Sequence, residues 1–215
     1  MISKTLLAIE TSSDICGAAI IYKNKILSLN DEHAPRKHSE ILPELTKKVL
    51  DNTGLKINEL DGIALSIGPG SFTGLRIGLG FSKGLAYANS LPIIPVPSLL
   101  GLAFLLKKNK PKSGIVLSHS RKVFFQEFLW SRGVPQMKTR PSVGDIKQYI
   151  SKLDEGFHYN CHSIIPNDAN MYQVVPSAGS IGLLGSRYFK EWVRKDTYEI
   201  VPDYIAPFEV KSNAK

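Results

Sequence analysis

Residues 60–86, LDGIALSIGPGSFTGLRIGLGFSKGLA, decide how the chain is built. The apolar run from Gly62 to Ile67 reads as a buried strand, GPGSFTG (68–74) places three glycines within seven residues, and a helix follows from Thr73 to about Asn89. A strand that passes through a glycine-rich turn into a helix aims backbone N–H groups and the positive end of the helix dipole at the loop, which favours an anion. Gly68, Gly70 and Ser71 are therefore candidates for a phosphate or nucleotide loop. No Lys follows in the GKS or GKT manner and the spacing is not GxGxxG, so a tight turn needing positive φ accounts for the glycines equally well.

The helix after that loop carries Gly74, Gly78, Gly80 and Gly84. Each costs about 0.8–1 kcal/mol relative to Ala in a helix interior. The pairs Gly74/Gly78 and Gly80/Gly84 lie one turn apart and leave flat strips where a second backbone can approach, either in this chain or in another subunit.

Upstream, Thr5 to Glu10 reads as a strand, residues 16–22 as a second and Ile26 to Leu29 as a third, joined by tight turns into an antiparallel meander. Ser39 to Thr53 reads as a helix, with Ser39 as N-cap, Pro43 in the first turn and Gly54 at its stop; Ile41, Leu42, Leu45, Val49 and Leu50 form its apolar stripe. Leu91 to Val96 reads as a strand whose prolines suit an edge. The order is βββαβαβ. Beyond Pro97 the pattern weakens: Ser98 can cap a short helix to Leu106, and Ile115–Leu117 pairs with Val123–Trp130. Residues 132–170 show no strong period, 181–192 is helical, the tail from Ser212 is frayed, and no internal repeat is found.

At 215 residues the chain suits one large domain or two small lobes. Its most apolar stretch, Leu99 to Leu106, is far short of the roughly 20 residues of a membrane span. No secretory signal pattern opens it, and its two cysteines, Cys16 and Cys161, are read as reduced thiols, so the protein is expected in the cytoplasm. The net charge of +8 belongs to the second half, where 17 basic face 10 acidic residues, against 10 and 9 in residues 1–100. Such a surplus suits RNA or an acidic partner, and serves solubility as well.

Glu10, Thr11 and Ser12, with Asp14, sit at the first strand-to-strand turn, where actin- and sugar-kinase-like proteins place a phosphate loop and a metal-binding acid. Turn-forming hydrogen bonds explain the same residues. His38 lacks a second His four residues on, position 42 being Leu, and the cluster His158, Cys161, His162 lacks a strict ligand spacing, so no metal site is assigned. No catalytic triad can be assembled.

LLAIETSSD (6–14), HSEILPEL (38–45), the 60–86 stretch and IIPVPSLLGLA (93–103) together resemble the TsaB (YeaZ) family of the bacterial tRNA threonylcarbamoyladenosine machinery. The resemblance implies an α/β, actin-like ATPase or ribonuclease H-like fold of two lobes, 1–99 carrying the family motifs and 100–215 smaller and divergent, whose last segment can pack back on the first. It implies a non-catalytic subunit that partners TsaD while TsaD transfers the threonylcarbamoyl group to tRNAs reading ANN codons. TsaE, an ATPase, acts beside them; tRNA is contacted indirectly, this subunit requires no cofactor, and ATP with Mg²⁺ enters at the level of the complex. The partner surface is then the two helices, with His38, Ile41, Leu45 and Val49 on the first and Phe72, Thr73, Arg76, Ile77, Gly78, Gly80, Phe81 and Gly84 on the second. Without the partner the same surface can make a homodimer.

The second half departs from the family pattern: SHSRKVFFQEF (118–128) keeps Arg121 without the preceding acid, and PDYIAPF (202–208) lacks the usual arginine. The rival reading is a small ATP-dependent kinase or ATPase of the same fold, which needs a second phosphate loop; Ser177-Ala-Gly-Ser-Ile-Gly182 is the one glycine-rich segment available for it.

Overall fold

The computed structural model describes residues 4–119, 121–167 and 169–205. The first sheet holds β1 (Thr5–Glu10), β2 (Ile15–Tyr22), β3 (Lys25–His33), β4 (Gly62–Ser66) and β5 (Ile93–Val96) in the order β3-β2-β1-β4-β5. β1, β2 and β3 form the antiparallel meander, and β1, β4 and β5 run parallel. β5 is the terminal strand, which is where Pro95 is tolerated. β3 runs several residues beyond the apolar run that marks it in the sequence, because at the sheet edge its pairing with β2 continues through polar positions.

Both faces of β1 are covered. Leu7 and Ile9 point to α1 (His38–Thr53) and α2 (Phe72–Asn89), while Leu6 and Ala8 point to a second core with α3 (Ser98–Leu105) and α4 (Ala178–Arg187). α4 lies close to the sheet because Gly182 faces Ile21 and Ala8: a Cβ there would stand 2.3 Å from Ile21 Cγ1. Thus a helix from the end of the chain closes the second face of the first sheet.

The second sheet comprises β6 (Ser113–His119), β7 (Lys122–Ser131), β8 (Val134–Met137), β9 (Ser142–Asp145), β10 (Gly156–Tyr159) and β11 (Met171–Gln173). Its order is β11-β10-β6-β7-β8, with β9 pairing the first half of β7 and β8 the second. β6 and β7 are antiparallel, and β6, β10 and β11 are parallel. This is the strand order and polarity of the first sheet repeated. The sequence shows no such repeat, since β8 to β11 are three or four residues long and too short to register a period.

Several helix ends differ from their sequence reading. α1 starts at His38 with Lys37 at its N-cap and no side-chain capping bond, so Ser39 is not the cap and Pro43 falls in the second turn. α2 starts at Phe72 and is capped by Ser71, whose Oγ accepts from Gly74 N at 3.2 Å. Ser98 does not cap α3: Pro97 holds that position, and Ser98 Oγ accepts from Gly68 N at 3.0 Å. The helix expected over 181–192 starts three residues earlier and breaks at Tyr188 into α4 and α5 (Phe189–Trp192). The chain then pairs Arg194 with Ile93 and crosses the end of α2, Asp203 N donating to Ile67 O at 2.8 Å. Residues from Ser212 onward lie outside the described residues. Among the described residues no helix is long and apolar enough to cross a membrane.

Candidate functional site

The turn after β1 and the glycine loop before α2 are one unit. Ser71 N donates to Ser12 O at 2.7 Å, and Thr11 N donates to Ser66 Oγ at 3.3 Å. A Cβ on Gly70 would stand 2.1 Å from Ser12 O, one on Gly74 2.1 Å from Thr11 O, and one on Gly78 2.2 Å from Thr11 Oγ1. The row Gly70, Gly74, Gly78 therefore receives the chain's own Thr11–Ser12 backbone. Gly68 has a φ of +115° and is the one glycine of this loop whose conformation itself excludes most side chains.

Glu10, 2% exposed, lies beneath this unit. Its carboxyl accepts from Ser12 N and Ser12 Oγ, each at 2.6 Å, and from Ser66 Oγ at 3.2 Å. Burial pushes it up to about 7 despite those donors. The bonds are internal ones, as a turn requires. Asp14 is exposed and meets Asn160 Nδ2 at 3.3 Å across the lobes.

The second glycine-rich segment is also occupied from within. Asp31 Oδ1 on β3 accepts from Ala178 N at 3.0 Å, so a carboxylate of the first sheet sits at the N-terminus of α4. Burial raises its pKa above the usual carboxylate range, outweighing the bonds from Ser177 and Ala178. No sequence signal pointed to Asp31, which lies 147 residues from its partner.

Among the described residues no group of three or more His, Cys, Asp or Glu is placed to hold a metal. His38 is buried with Nε2 3.2 Å from Ile15 O, and His158 stacks edge-on against His162 at 4.7 Å. Both thiols are buried, and burial pushes Cys16 and Cys161 up to about 12, which leaves neither a nucleophile at neutral pH.

The two helices named as a partner surface divide sharply. Leu45, Val49, His38 and Gly78 lie inside this chain's own core. Thr73, Arg76, Gly80 and Gly84 are exposed, Ile41, Phe72, Ile77 and Phe81 are half-buried, and a Cβ on Gly80 or Gly84 would meet nothing within 4 Å among the described residues. The exposed end of α2 is bordered by the chain's last described segment: Arg76 Nε donates to Tyr204 OH at 3.0 Å, its guanidinium lies 3.9 Å from the Phe72 ring centroid, and Lys83 Nζ donates to Tyr198 O at 3.1 Å.

Two sheets that share one strand order and meet in a common core, with α3 of the second sheet's side packed on α4, define a two-lobed α/β protein. Residues 21–122 match the family described as TsaD, tRNA N6-adenosine threonylcarbamoyltransferase. The tRNA threonylcarbamoyladenosine biosynthesis protein TsaB of Haemophilus influenzae is 32% identical over 154 residues, 70% of this chain and 62% of that protein. The Escherichia coli TsaB is 34% identical over 98 residues, 46% of this chain and 42% of that protein, so the matches span about half the length of these curated relatives. The structure of YeaZ from Pseudomonas aeruginosa superposes with a TM-score of 0.81 at 22% identity, covering 94% of this chain and 99% of that one. These matches make the chain similar to the TsaB (YeaZ) family in sequence and in fold.

Proposed function

We propose that this chain is a non-catalytic subunit that binds a TsaD-type transferase and supports formation of threonylcarbamoyladenosine on tRNA in the cytoplasm. Relatives named for that pathway support the role. The observation that carries the partnership is the outer face of α2. Gly80 and Gly84 meet nothing within 4 Å among the described residues, yet two helix-interior glycines destabilise a free helix, and a close crossing by a helix of another chain is a use that accounts for them. The surface comprises Thr73, Arg76, Ile77, Gly80, Phe81 and Gly84, with Ile41 from α1. TsaE joins at the level of the assembled complex, where ATP and Mg²⁺ are used, and the same face pairs two copies of this chain when TsaD is absent. The kinase-like alternative is disfavoured by Asp31, whose carboxylate occupies the helix N-terminus that a second phosphate loop would need free.

The test is a purified reaction of threonine, bicarbonate, ATP, tRNA, TsaC, TsaD and TsaE from one source, with and without this chain. Modified nucleoside is expected only when the chain is present. Modification indifferent to it, together with no binding to TsaD, refutes the subunit reading.

A further inference from the structure

The positive charge of this protein is not spread over it. Residues 107–152 hold eleven Lys and Arg against two Asp and Glu, which leaves sixteen basic and seventeen acidic residues in the rest of the chain. The whole surplus of +8 therefore comes from the stretch that builds β6, β7, β8 and β9, and all eleven of these cations are exposed. Within it lies a cleft of about 590 Å³, a size that accommodates a nucleotide.

Lys110, Lys112, Lys138 and Lys152 line the cleft, together with Glu127 and Trp130. Glu127 is the hub: Lys138 Nζ stands 3.2 Å from one of its oxygens and Lys152 Nζ 3.7 Å from the other, so one carboxylate serves two ammonium groups. Lys112 pairs with Glu155 at 2.7 Å, a solvent-screened contact readily exchanged for a phosphate. Asp154 is the remaining acid on the lining, which stays net positive. The floor is aromatic and apolar. Trp130 is held by its indole N–H, which donates to Pro111 O at 2.9 Å, and Leu129 beside it is 55% exposed. A fixed aromatic ring among cations that remain exchangeable is the arrangement that takes a base on its face and phosphates on its flanks.

We propose that this cleft binds single-stranded RNA, with phosphates on Lys110, Lys112 and Lys138 and a base against Trp130. The choice of RNA among polyanions rests on the proposed role in tRNA modification. The cleft itself lies on the second sheet, away from α2.

The test is fluorescence anisotropy of this chain with labelled oligouridylate, from about 50 to about 200 mM salt. Three phosphate contacts to a single strand give a log–log salt slope of about −2. Neutralising them in Lys110→Gln/Lys112→Gln/Lys138→Gln is expected to flatten that slope and weaken binding roughly tenfold at the low-salt end. The control, Lys23→Gln/Lys25→Gln/Lys195→Gln, removes the same charge elsewhere. Trp130→Leu is expected to weaken binding while leaving the slope in place, which separates stacking from charge. Equal losses in the cleft and control variants overturn the proposal, because net charge alone then accounts for binding. So does a labelled oligoglutamate that binds more tightly than oligouridylate with the same lysine dependence, which would assign the cleft to an acidic peptide. Since binding by this chain alone is measured, a negative result leaves the reconstitution outcome standing, and a failed reconstitution leaves binding intact.

Discussion

Gly78 and Thr11 meet so closely that a Cβ on the glycine would stand 2.2 Å from the threonine Oγ1, whereas six residues further along the same helix Gly84 faces open space. One helix thus carries glycines for two different reasons. The inner row lets the α2 backbone settle on the turn after β1, and the outer pair meets nothing among the described residues.

This difference predicts opposite effects of one substitution. Gly78→Ala forces a methyl into the buried Thr11 side chain and is expected to destabilise the fold by about 1–3 kcal/mol, after the gain in helix propensity is overtaken. Gly84→Ala is expected to stabilise it by about 0.5–1 kcal/mol and to weaken binding to TsaD. Urea unfolding and a pull-down with TsaD check both. A Gly84→Ala chain that is more stable and binds TsaD as tightly as the parent removes the outer glycines from the interface.

Glu10 makes stability depend on pH. Its folded pKa is raised to about 7 by burial, against an ordinary value of 4.5. The folded chain therefore keeps a proton that the unfolded chain has released across that interval. The contribution is fully present below about pH 4.5 and is lost as pH rises to about 7, for a total of about 3 kcal/mol. Glu10→Gln keeps an acceptor for Ser12 and Ser66 and removes the titration. Urea midpoints of parent and variant at pH 5 and pH 8 are expected to diverge at the higher pH, the variant being the more stable there; parallel curves would mean that Glu10 is ionised in both states.

Much of the first half was legible because its elements are long enough to show a period. Residues 5–10, 39–53 and 73–89 each contain several apolar positions in register with a strand or a helix. In the second half, β8 to β11 hide in three- or four-residue pieces, and the repeated sheet order becomes visible through hydrogen bonding alone. The glycine rows were half legible. At about 100° per residue, positions 78 and 80 lie on nearly opposite faces of α2, so a helical wheel separates the inner row from the outer pair; pairing by one-turn spacing merges them. Leu45 and Val49 belong to the apolar stripe that the α1 pattern itself defines, which is why they lie in the core and not on a partner surface. The link from Asp31 to α4 has no local signature.

That link yields a third prediction. Asp31→Ala leaves Ala178 N without its acceptor and empties a contact that ties β3 to α4, and is expected to cost about 1–2 kcal/mol. Asp31→Asn retains an acceptor oxygen and is expected to lose less than half as much. Thermal unfolding of the two variants checks the order. Equal losses would trace the effect to the carboxylate charge instead of the hydrogen bond.

The last prediction concerns the segment that borders α2. Tyr198 and Val201 are 75% and 68% exposed, Tyr87 one turn beyond Lys83 is 78% exposed, and Tyr204 packs on Phe72 with ring centroids 5.0 Å apart. These side chains extend the apolar face that begins with Ile77 and Phe81, so under the proposed partnership the segment would add to the partner surface. Arg76, gripped between Phe72 and Tyr204, sets the junction. Tyr204→Ala is expected to change folding stability by no more than about 0.5 kcal/mol, as an exposed contact should, while weakening binding to TsaD several-fold. Tyr204→Phe keeps the ring and is expected to bind nearly as the parent does. Titration calorimetry with TsaD reads both variants, and tighter binding by Tyr204→Ala would show that the segment covers the interface until the partner displaces it.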